Sequence, residues 1–368
     1  MVSSPQLVVI GAQGTKLFVA TSLLKTCGTQ EAPAILGLLE MNYLLFNYNE
    51  YQRLYRCDYL NESEWASYTF PRPTLGSICI SIGCVNLISY ILCLTVMRRE
   101  SFFRHSCFKI MFLLGLIDIL GLFCNSLITG VLMIKGTAFC LEPTFQFAFG
   151  CVAVATWFGD CMTCLVLAFN RCMDFWFPKL SLDLFEGRRT YFWYCLILFY
   201  MLFAFFFTSP ILLNSAAIML MFDPYMLVPM NVVPIDRNLH HGYANNINNY
   251  ITIPGMLILY TGLVMSICLK SRGTPQHLKV KIQIIVQSIM VCMLVFLPGF
   301  LFIILFFVPD STVLVYMALI TFEIGNGSAG LILIVLNKTI REEVKELIMR
   351  PFKNHSVVSV ITLSQYSK

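Results

Sequence analysis

The sequence predicts an all-α membrane protein, built as a bundle of seven transmembrane helices. Of the 368 residues, 58% are hydrophobic and only 12% are charged, which is too apolar for a soluble globular chain of this length. Seven apolar runs are each long enough to cross about 30 Å of hydrocarbon. The net charge of +5 is modest and gives no reason to expect a nucleic-acid partner.

The seven apolar runs divide the chain into three regions. A helix satisfies its own backbone hydrogen bonds in lipid, so each run is predicted to be helical. The predicted spans are residues 74–97, 110–134, 144–172, 190–212, 249–269, 282–307 and 312–336. They form a transmembrane domain, 74–336, between an N-terminal segment, 1–73, and a C-terminal segment, 337–368. Within the sixth span, Pro298 predicts a kink.

Basic residues in the loops predict the orientation of the bundle. The loops after the first, third and fifth spans carry twelve Lys and Arg residues, whereas those after the second, fourth and sixth carry only Lys135 and Arg237. Basic loops stay in the cytosol. We therefore expect the N-terminus outside and the C-terminus in the cytosol.

The two terminal segments have different patterns. Residues 1–50 show no sustained period and are expected to be divergent or disordered. Asn61 begins a glycosylation sequon that is usable if this segment is outside. After the seventh span, the apolar residues of the sequence NKTIREEVKELIMR fall on one helical face: Ile340, Val344, Leu347 and Ile348. This predicts a short amphipathic helix along the inner leaflet, which Pro351 ends.

The third span has the most distinctive arrangement. Cys140 precedes its outer end, Arg171 lies at its inner end, and Pro178 follows seven residues later. Asp160 is the only charge between Phe145 and Ala168, and a lone charge at that depth is expected to face the bundle interior. The arrangement resembles the third helix of G-protein-coupled receptors.

Five sequence blocks sharpen that resemblance. They are RHSCFKIMFLLGLIDI, CMTCLVLAFNRCMDFW, LFEGRRTYFW, FDPY and LNKTIREEV. In this order they resemble the nematode serpentine receptor class T family of the rhodopsin-like superfamily, over roughly residues 54–350. The resemblance implies a chemosensory receptor of the plasma membrane, with sensory neuron cilia as one expected location. It would bind a small external chemical and activate a heterotrimeric G protein, and no cofactor is implied.

The resemblance also assigns expected roles to single residues at the inner end of the third span. Arg171 is expected to contact the G protein or release a restraint, with Pro178 in the loop beyond it. Asn170 stands where the superfamily has an acidic residue, and Asp174, one turn later, could pair with Arg171 instead. The alternative for Arg171 is a simple positive-inside anchor.

Three further residues are candidates for the ligand pocket. Trp157 and Phe296 are expected to face each other beneath a ligand, although large aromatic residues in a bundle often only pack. Glu323, near the middle of the seventh span, is the strongest candidate for a polar ligand contact. Its alternative is a protonated, hydrogen-bonded carboxyl group.

Asp118 and Asp160 are expected to form one coupled polar site in the centre of the bundle, completed by Asn326 and Ser328. Two carboxylates in a poorly solvated site cannot both ionise freely, so one keeps its proton or a cation lies between them. The superfamily often holds a sodium ion beside the second-helix Asp. The alternative is that Asp160 faces another helix and donates to a backbone carbonyl.

Cys140 is expected to form a disulfide, because cysteines at this point in the superfamily bond the second outer loop. Here that loop, from Asn214 to Asn248, contains no cysteine. Cys57 is the expected partner instead. Cys27 is a competitor, and two free thiols remain the other alternative.

Two other classes of protein compete with a receptor. An enzyme is not expected, because all five histidines lie in loops or tails and no metal site falls within the spans. A transporter or channel could use Asp118, Asp160 and Glu323 as a relay. Against it, the sequence shows no internal repeat and no pair of interrupted spans.

Overall fold

The computed structural model describes residues 42–240, 242–270, 276–308 and 311–350. Within these ranges, six helices are long and apolar enough to cross a membrane, and a bent pair of helices makes up a seventh span. The spans in chain order are Pro73–Met97, Ser106–Lys135, Pro143–Trp176, Thr190–Phe207, Tyr243–Lys270, Gln276–Phe307, and Thr312–Gly325 with Ser328–Leu336. The predicted seven-helix bundle is confirmed. We call the end that carries Cys140 outer and the end that carries Arg171 inner.

The second span is interrupted by a π-helical turn. It begins as the α-helix Ser106–Leu122, continues as the π-helix Phe123–Ile128 and ends as the α-helix Thr129–Lys135. A π turn inserts one extra residue and rotates the side chains that follow it. Ser126 lies in this turn, fully buried, and contacts the seventh span.

The seventh span bends by 59° between its two helices. Gly327 lies at the bend with φ +109°, a left-handed backbone conformation that glycine adopts readily. A Cβ atom at Gly327 would lie 2.8 Å from the side chain of Leu122, which would have to move, and the positive φ would strain any larger residue. The predicted continuous span 312–336 is therefore corrected to a broken one.

The fourth span ends at Phe207, earlier than the predicted residue 212. Pro210 has no N–H group to continue a helix. Beyond it, Leu212–Asn214 pairs antiparallel with Met219–Met221, with Leu212 opposite Met221. This hairpin lies on the outer end of the third span, where the backbone N–H of Leu213 donates to Gln146 Oε1 at 3.0 Å.

The N-terminal segment covers the outer end of the bundle. Its helices are Tyr43–Phe46, Tyr48–Leu54 and Glu62–Ser67. Tyr51 and Tyr55 pack edge-on against Phe147, which attaches this segment to the third span. Cys27, the competing disulfide partner, lies outside the described residues.

The inner end carries the short helices Glu100–Phe103 and Pro178–Phe185 and a helix over residues 338–350. Ile340 and Val344 are buried on the bundle and Leu347 packs partly against it, whereas Ile348 is 46% exposed. One face of the amphipathic helix therefore packs against the inner end of the bundle, and Ile348 lies on its exposed face. The predicted stop at Pro351 and the tail lie outside the described residues.

The third span is the centre of this fold, because it contacts the second, fourth, fifth and sixth spans. Its buried side chains include small residues that let the neighbouring helices approach. At Gly159, for example, a Cβ atom would lie 2.7 Å from the sulfur of Met201 on the fourth span. The third span therefore positions the residues at both ends of the bundle.

Candidate ligand cavity, polar core and inner arginine

A cavity of about 410 Å³ lies in the outer half of the bundle. Its lining residues come from the third, fifth, sixth and seventh spans and from the second outer loop. They are Val154, Trp157, Ile211, Ile218, Met219, Leu220, Met221, Phe222, Asp223, Arg237, His240, Gly242, Asn245, Asn246, Asn249, Phe302, Leu305, Leu319 and Phe322. The volume falls in the range of small-molecule sites in proteins.

Trp157 in this cavity is held by a chain of hydrogen bonds. Its indole N–H donates to Asn249 Oδ1 at 3.0 Å, and Asn248 Nδ2 donates to the same oxygen at 3.2 Å. The hydroxyl of Tyr200 in turn donates to Asn248 Oδ1 at 3.0 Å. The ring centroid of Trp157 lies 5.9 Å from that of Phe322. The indole is therefore fixed in orientation before any ligand binds.

The outer loop closes the cavity from above. Arg237 pairs with Asp223, at 3.2 Å between Nη1 and Oδ1, and its guanidinium lies 5.0 Å from the ring centroid of Tyr225. Burial raises the pKa of Tyr225, so its hydroxyl stays protonated. That hydroxyl lies 2.9 Å from the carbonyl oxygen of Leu54 and 2.8 Å from that of Arg56. The loop and the N-terminal segment are thus joined over the cavity.

The disulfide completes this cover. Cys57 is bonded to Cys140, with their Cα atoms 5.3 Å apart. The predicted pairing is confirmed. Asn61, four residues after Cys57, is exposed and caps the helix Glu62–Ser67, and its glycosylation stays a prediction.

Phe296 and Glu323 do not line the cavity. Phe296 stacks on Phe300 at 5.9 Å and lines a separate apolar groove of about 310 Å³ between the fifth and sixth spans. Phe322, rather than Phe296, contacts the indole of Trp157. Glu323 is directed toward the second span, where its Oε2 accepts a hydrogen bond from Ser126 at 2.7 Å.

The carboxyl groups of Asp118 and Asp160 lie within hydrogen-bonding reach of each other in the middle of the bundle. They are 4% and 2% exposed. The hydroxyl of Tyr90 donates to Asp118 Oδ2, whereas Asp160 Oδ1 has no hydrogen-bond partner among the described residues. Gly115 and Gly330 lie against the ring of Tyr90 and leave room for it.

Asn326 and Ser328 flank the bend of the seventh span, next to Gly327. The backbone oxygen of Asn326 accepts a hydrogen bond from Asn86 Nδ2 at 3.4 Å, and its own Nδ2 has no hydrogen-bond partner in the described part of the chain. Ser328 is half-buried at the start of the second helix. In the described ranges, neither side chain is hydrogen-bonded to Asp118 or Asp160.

At the inner end, Arg171 is only 7% exposed although it is charged. Its Nη2 donates to Asn170 Oδ1 at 2.7 Å, and its Nη1 lies 3.3 Å from Asp174 Oδ2. Asn170 Nδ2 donates to Ser106 Oγ on the second span at 3.2 Å. The guanidinium is thus held by its own helix, and that helix by the second span.

The same group of residues reaches the second inner loop. Asp174 accepts a hydrogen bond from the hydroxyl of Ser181, in the helix Pro178–Phe185. Pro178 is the first residue of that helix, where its missing N–H costs nothing. Asp174 therefore links the guanidinium of Arg171 to the second inner loop.

Several of these residues were not expected from the sequence. Tyr90 and Asn86 lie in an apolar first span, and their polarity at that depth is the signal that could have found them. Ser126 reaches Glu323 only because of the π turn, which leaves no clear mark in the sequence. The contacts of Arg237 with Asp223 and Tyr225 could not be predicted, because contacts within a loop follow no periodic sequence pattern.

This fold and these sites define a class: a seven-helix membrane protein with an enclosed outer cavity and a buried inner arginine. The chain belongs to the serpentine type 7TM GPCR chemoreceptor Srt family, whose sequence model matches residues 39–356. It is 24% identical over 301 residues to serpentine receptor class T-55 of Caenorhabditis elegans, which covers 80% of each chain. The resemblance carried by the sequence blocks begins at about residue 54. The match begins at residue 39, so the covering helices from residue 43 belong to the family region.

Proposed function

We propose that the protein is a chemosensory G-protein-coupled receptor. A small external chemical binds in the outer cavity, and the inner end around Arg171 activates a heterotrimeric G protein. The main support for this proposal is one helix, Pro143–Trp176. It contributes Trp157 to the cavity and carries the buried Arg171 at its other end. Membership of a chemoreceptor family supports both halves of the proposal.

Ligand contacts supply a physical route between the two ends. The cavity is lined by Phe302 and Leu305 of the sixth span and by Leu319 and Phe322 of the seventh. A ligand that packs better against one arrangement of these helices shifts the population toward it. Release of Arg171 from Asp174 is the change proposed at the inner end.

The carboxyl pair in the middle of the bundle is proposed as a sodium or proton site that biases this equilibrium. Asp118 and Asp160 supply carboxylate oxygens, which suit a hard cation. Asp160 Oδ1 lacks a hydrogen-bond partner among the described residues, so this oxygen is available to a bound cation or a proton. Asn326 and Ser328 are proposed as outer participants that reach the pair when the seventh span moves at Gly327.

The proposed location is the plasma membrane, including that of sensory neuron cilia, with Asn61 outside and glycosylated. An epitope inserted beside Asn61 should be accessible to antibody on intact cells, and glycosidase should increase the mobility of the chain on a gel. An epitope accessible only after permeabilisation contradicts this orientation and, with it, reception of external chemicals at the cavity.

A transporter is the second candidate, because the bent seventh span carries a buried carboxyl group, Glu323, close to its bend. Paired broken helices are typical of transporters, whereas one bent span is found within the described residues here. Movement of solute into vesicles would distinguish this candidate, since a receptor signals without flux.

The test of the proposed function is a screen of volatile and soluble chemicals on cells that express the chain with a second-messenger reporter. We expect a concentration-dependent response that is lost in Arg171→Ala. The matched control is Arg189→Ala, because Arg189 is an exposed inner arginine paired with Asp183. A response equal in both variants, or solute flux without a response, contradicts the proposal.

A further inference from the structure

We propose that the outer cavity binds an uncharged amphiphile: a small molecule with a hydrocarbon part and a carbonyl or hydroxyl group. The inference rests on the proposed function for its biological use, but it concerns binding and can be tested without signalling. It follows from three features of the lining: an apolar region, a pair of available amides, and charges that are already paired.

The apolar region is formed by side chains of the third, sixth and seventh spans. Its members are Val154, Trp157, Phe302, Leu305, Leu319 and Phe322. The polar N–H of Trp157 is already donated to Asn249, so the indole presents its ring. Hydrocarbon placed here is stabilised because its apolar surface is removed from water.

The available amides are those of Asn245 and Asn246, near the start of the fifth span. Both line the cavity and both are half-buried. Neither side chain has a hydrogen-bond partner in the parts of the chain that the structure describes. An amide both donates and accepts, which matches a hydroxyl or a carbonyl group. They lie about one helical turn, roughly 5 Å, outward of Asn249 and so of the indole that it holds.

The charges in the lining are paired within the protein. Arg237 is ion-paired with Asp223 at 3.2 Å, and its Nη2 donates to the carbonyl oxygen of Val228 at 2.9 Å. Its guanidinium also lies over Tyr225. An acid would have to displace Asp223 from Arg237, and an amine would have to displace Arg237 from Asp223. Burying an ion without such a partner is unfavourable, which disfavours both the acid and the amine. The lining therefore selects neutral molecules.

The experiment measures binding to the purified full chain in lipid nanodiscs. The probes are sets of four molecules with one hydrocarbon chain and a different end group: alcohol, ketone, carboxylate or primary ammonium. We expect saturable binding of the alcohol and the ketone, with the two ions at least about a hundredfold weaker. Equal binding of neutral and charged members, or binding of no neutral member, overturns the inference.

Two variants locate the binding. N245L/N246L should weaken the alcohol and the ketone by roughly tenfold, because their polar group loses its partner. Ile247→Ala is the matched control, since Ile247 lies in the same turn, is 46% exposed and does not line the cavity. Equal affinity in all three proteins overturns the assignment to these amides.

Asp223→Asn provides the converse test. Without the carboxylate, Arg237 keeps its charge and loses its ion-pair partner, so the carboxylate probe should bind at least roughly tenfold more tightly than to the unaltered chain. No gain for the carboxylate, with the alcohol still bound, overturns the argument from charge pairing. Binding of the neutral probes without any G-protein response would refute the proposed function and leave the ligand class standing.

Discussion

The two ends of the third span are built in opposite ways. At the outer end, Trp157 lines a cavity of about 410 Å³ that the second outer loop partly covers. At the inner end, Arg171 is almost completely buried and its guanidinium contacts Asn170 and Asp174. Under the proposed function, a ligand would meet a preformed cavity, whereas a G protein would reach Arg171 only after polar contacts break.

The two ends are also stabilised by different interactions. The outer end is covered by a segment that a disulfide, Cys57–Cys140, fixes covalently. The inner end is held by hydrogen bonds and an ion pair, each of which contributes about 1 kcal/mol. Covalent closure preserves the shape of a binding site, and weak polar contacts permit a switch. This difference is what the proposed function requires: a preformed cavity for the ligand and a reversible restraint on Arg171.

The largest expected effect is loss of the disulfide. Cys57→Ser or Cys140→Ser removes a crosslink with a sequence separation of 83, which contributes about 4 kcal/mol in the chain-entropy model. We expect lower surface expression and a lower melting temperature in detergent. Cys84→Ser, which removes an exposed free thiol, is the control. If the two groups of variants melt alike, the outer cover does not depend on the disulfide.

The next effect compares two indoles, one at each end. Trp157→Phe leaves the buried oxygen of Asn249 without its indole donor and should weaken ligand potency by roughly tenfold. Trp193→Phe removes a comparable indole bond, to the carbonyl oxygen of Leu184 at 3.1 Å near the inner end. It should leave ligand affinity unchanged. Equal loss of ligand affinity in both variants would show a general effect on folding.

A smaller effect is expected at the inner restraint. Asp174→Asn removes the charge that faces Arg171 and should raise ligand-independent signalling roughly fivefold, which corresponds to about 1 kcal/mol. The control is Asp183→Asn, which removes an exposed carboxylate paired with Arg189 in the same loop. Basal reporter activity at matched surface expression measures both. A decrease in Asp174→Asn would mean that this ion pair supports signalling instead of restraining it.

The smallest effect is expected in the middle of the bundle. Sodium at a concentration equal to its dissociation constant stabilises the state that binds it by about 0.4 kcal/mol, a twofold shift. We expect basal signalling to fall with added sodium and to change with pH, and both dependences to vanish in Asp160→Asn. Choline chloride at the same ionic strength is the control for the salt. Unchanged sodium and pH dependence in Asp160→Asn contradicts a coupled site with Asp118.

Much of the fold could be predicted from the sequence, because each span needs a run of apolar residues long enough to cross the hydrocarbon core of the bilayer. Cys57 could be identified because the second outer loop contains no cysteine. The break at Gly327 could not, since glycine is common within transmembrane helices and its backbone angle leaves no pattern. The same holds for the π turn that brings Ser126 to Glu323.

The candidate site was less predictable than the fold. Depth along a helix places Asp118 and Asp160 at neighbouring levels, but it does not fix the direction in which a side chain points. Phe296 illustrates this limit: it lies two residues before Pro298, yet it lines a groove between two helices away from Trp157. The cavity wall includes an outer-loop hairpin, and no helical period reveals such a contact.

The central claim is that a ligand at the outer end releases Arg171 at the inner end. The most direct measurement reconstitutes the receptor in vesicles with a heterotrimeric G protein and records ligand binding and nucleotide exchange on the same sample. We predict that Arg171→Ala binds ligand at least as tightly as the unaltered chain, because the restraint by Asp174 is also lost, and that it loses the exchange that ligand evokes in the unaltered chain. Undiminished exchange in Arg171→Ala would contradict the claim.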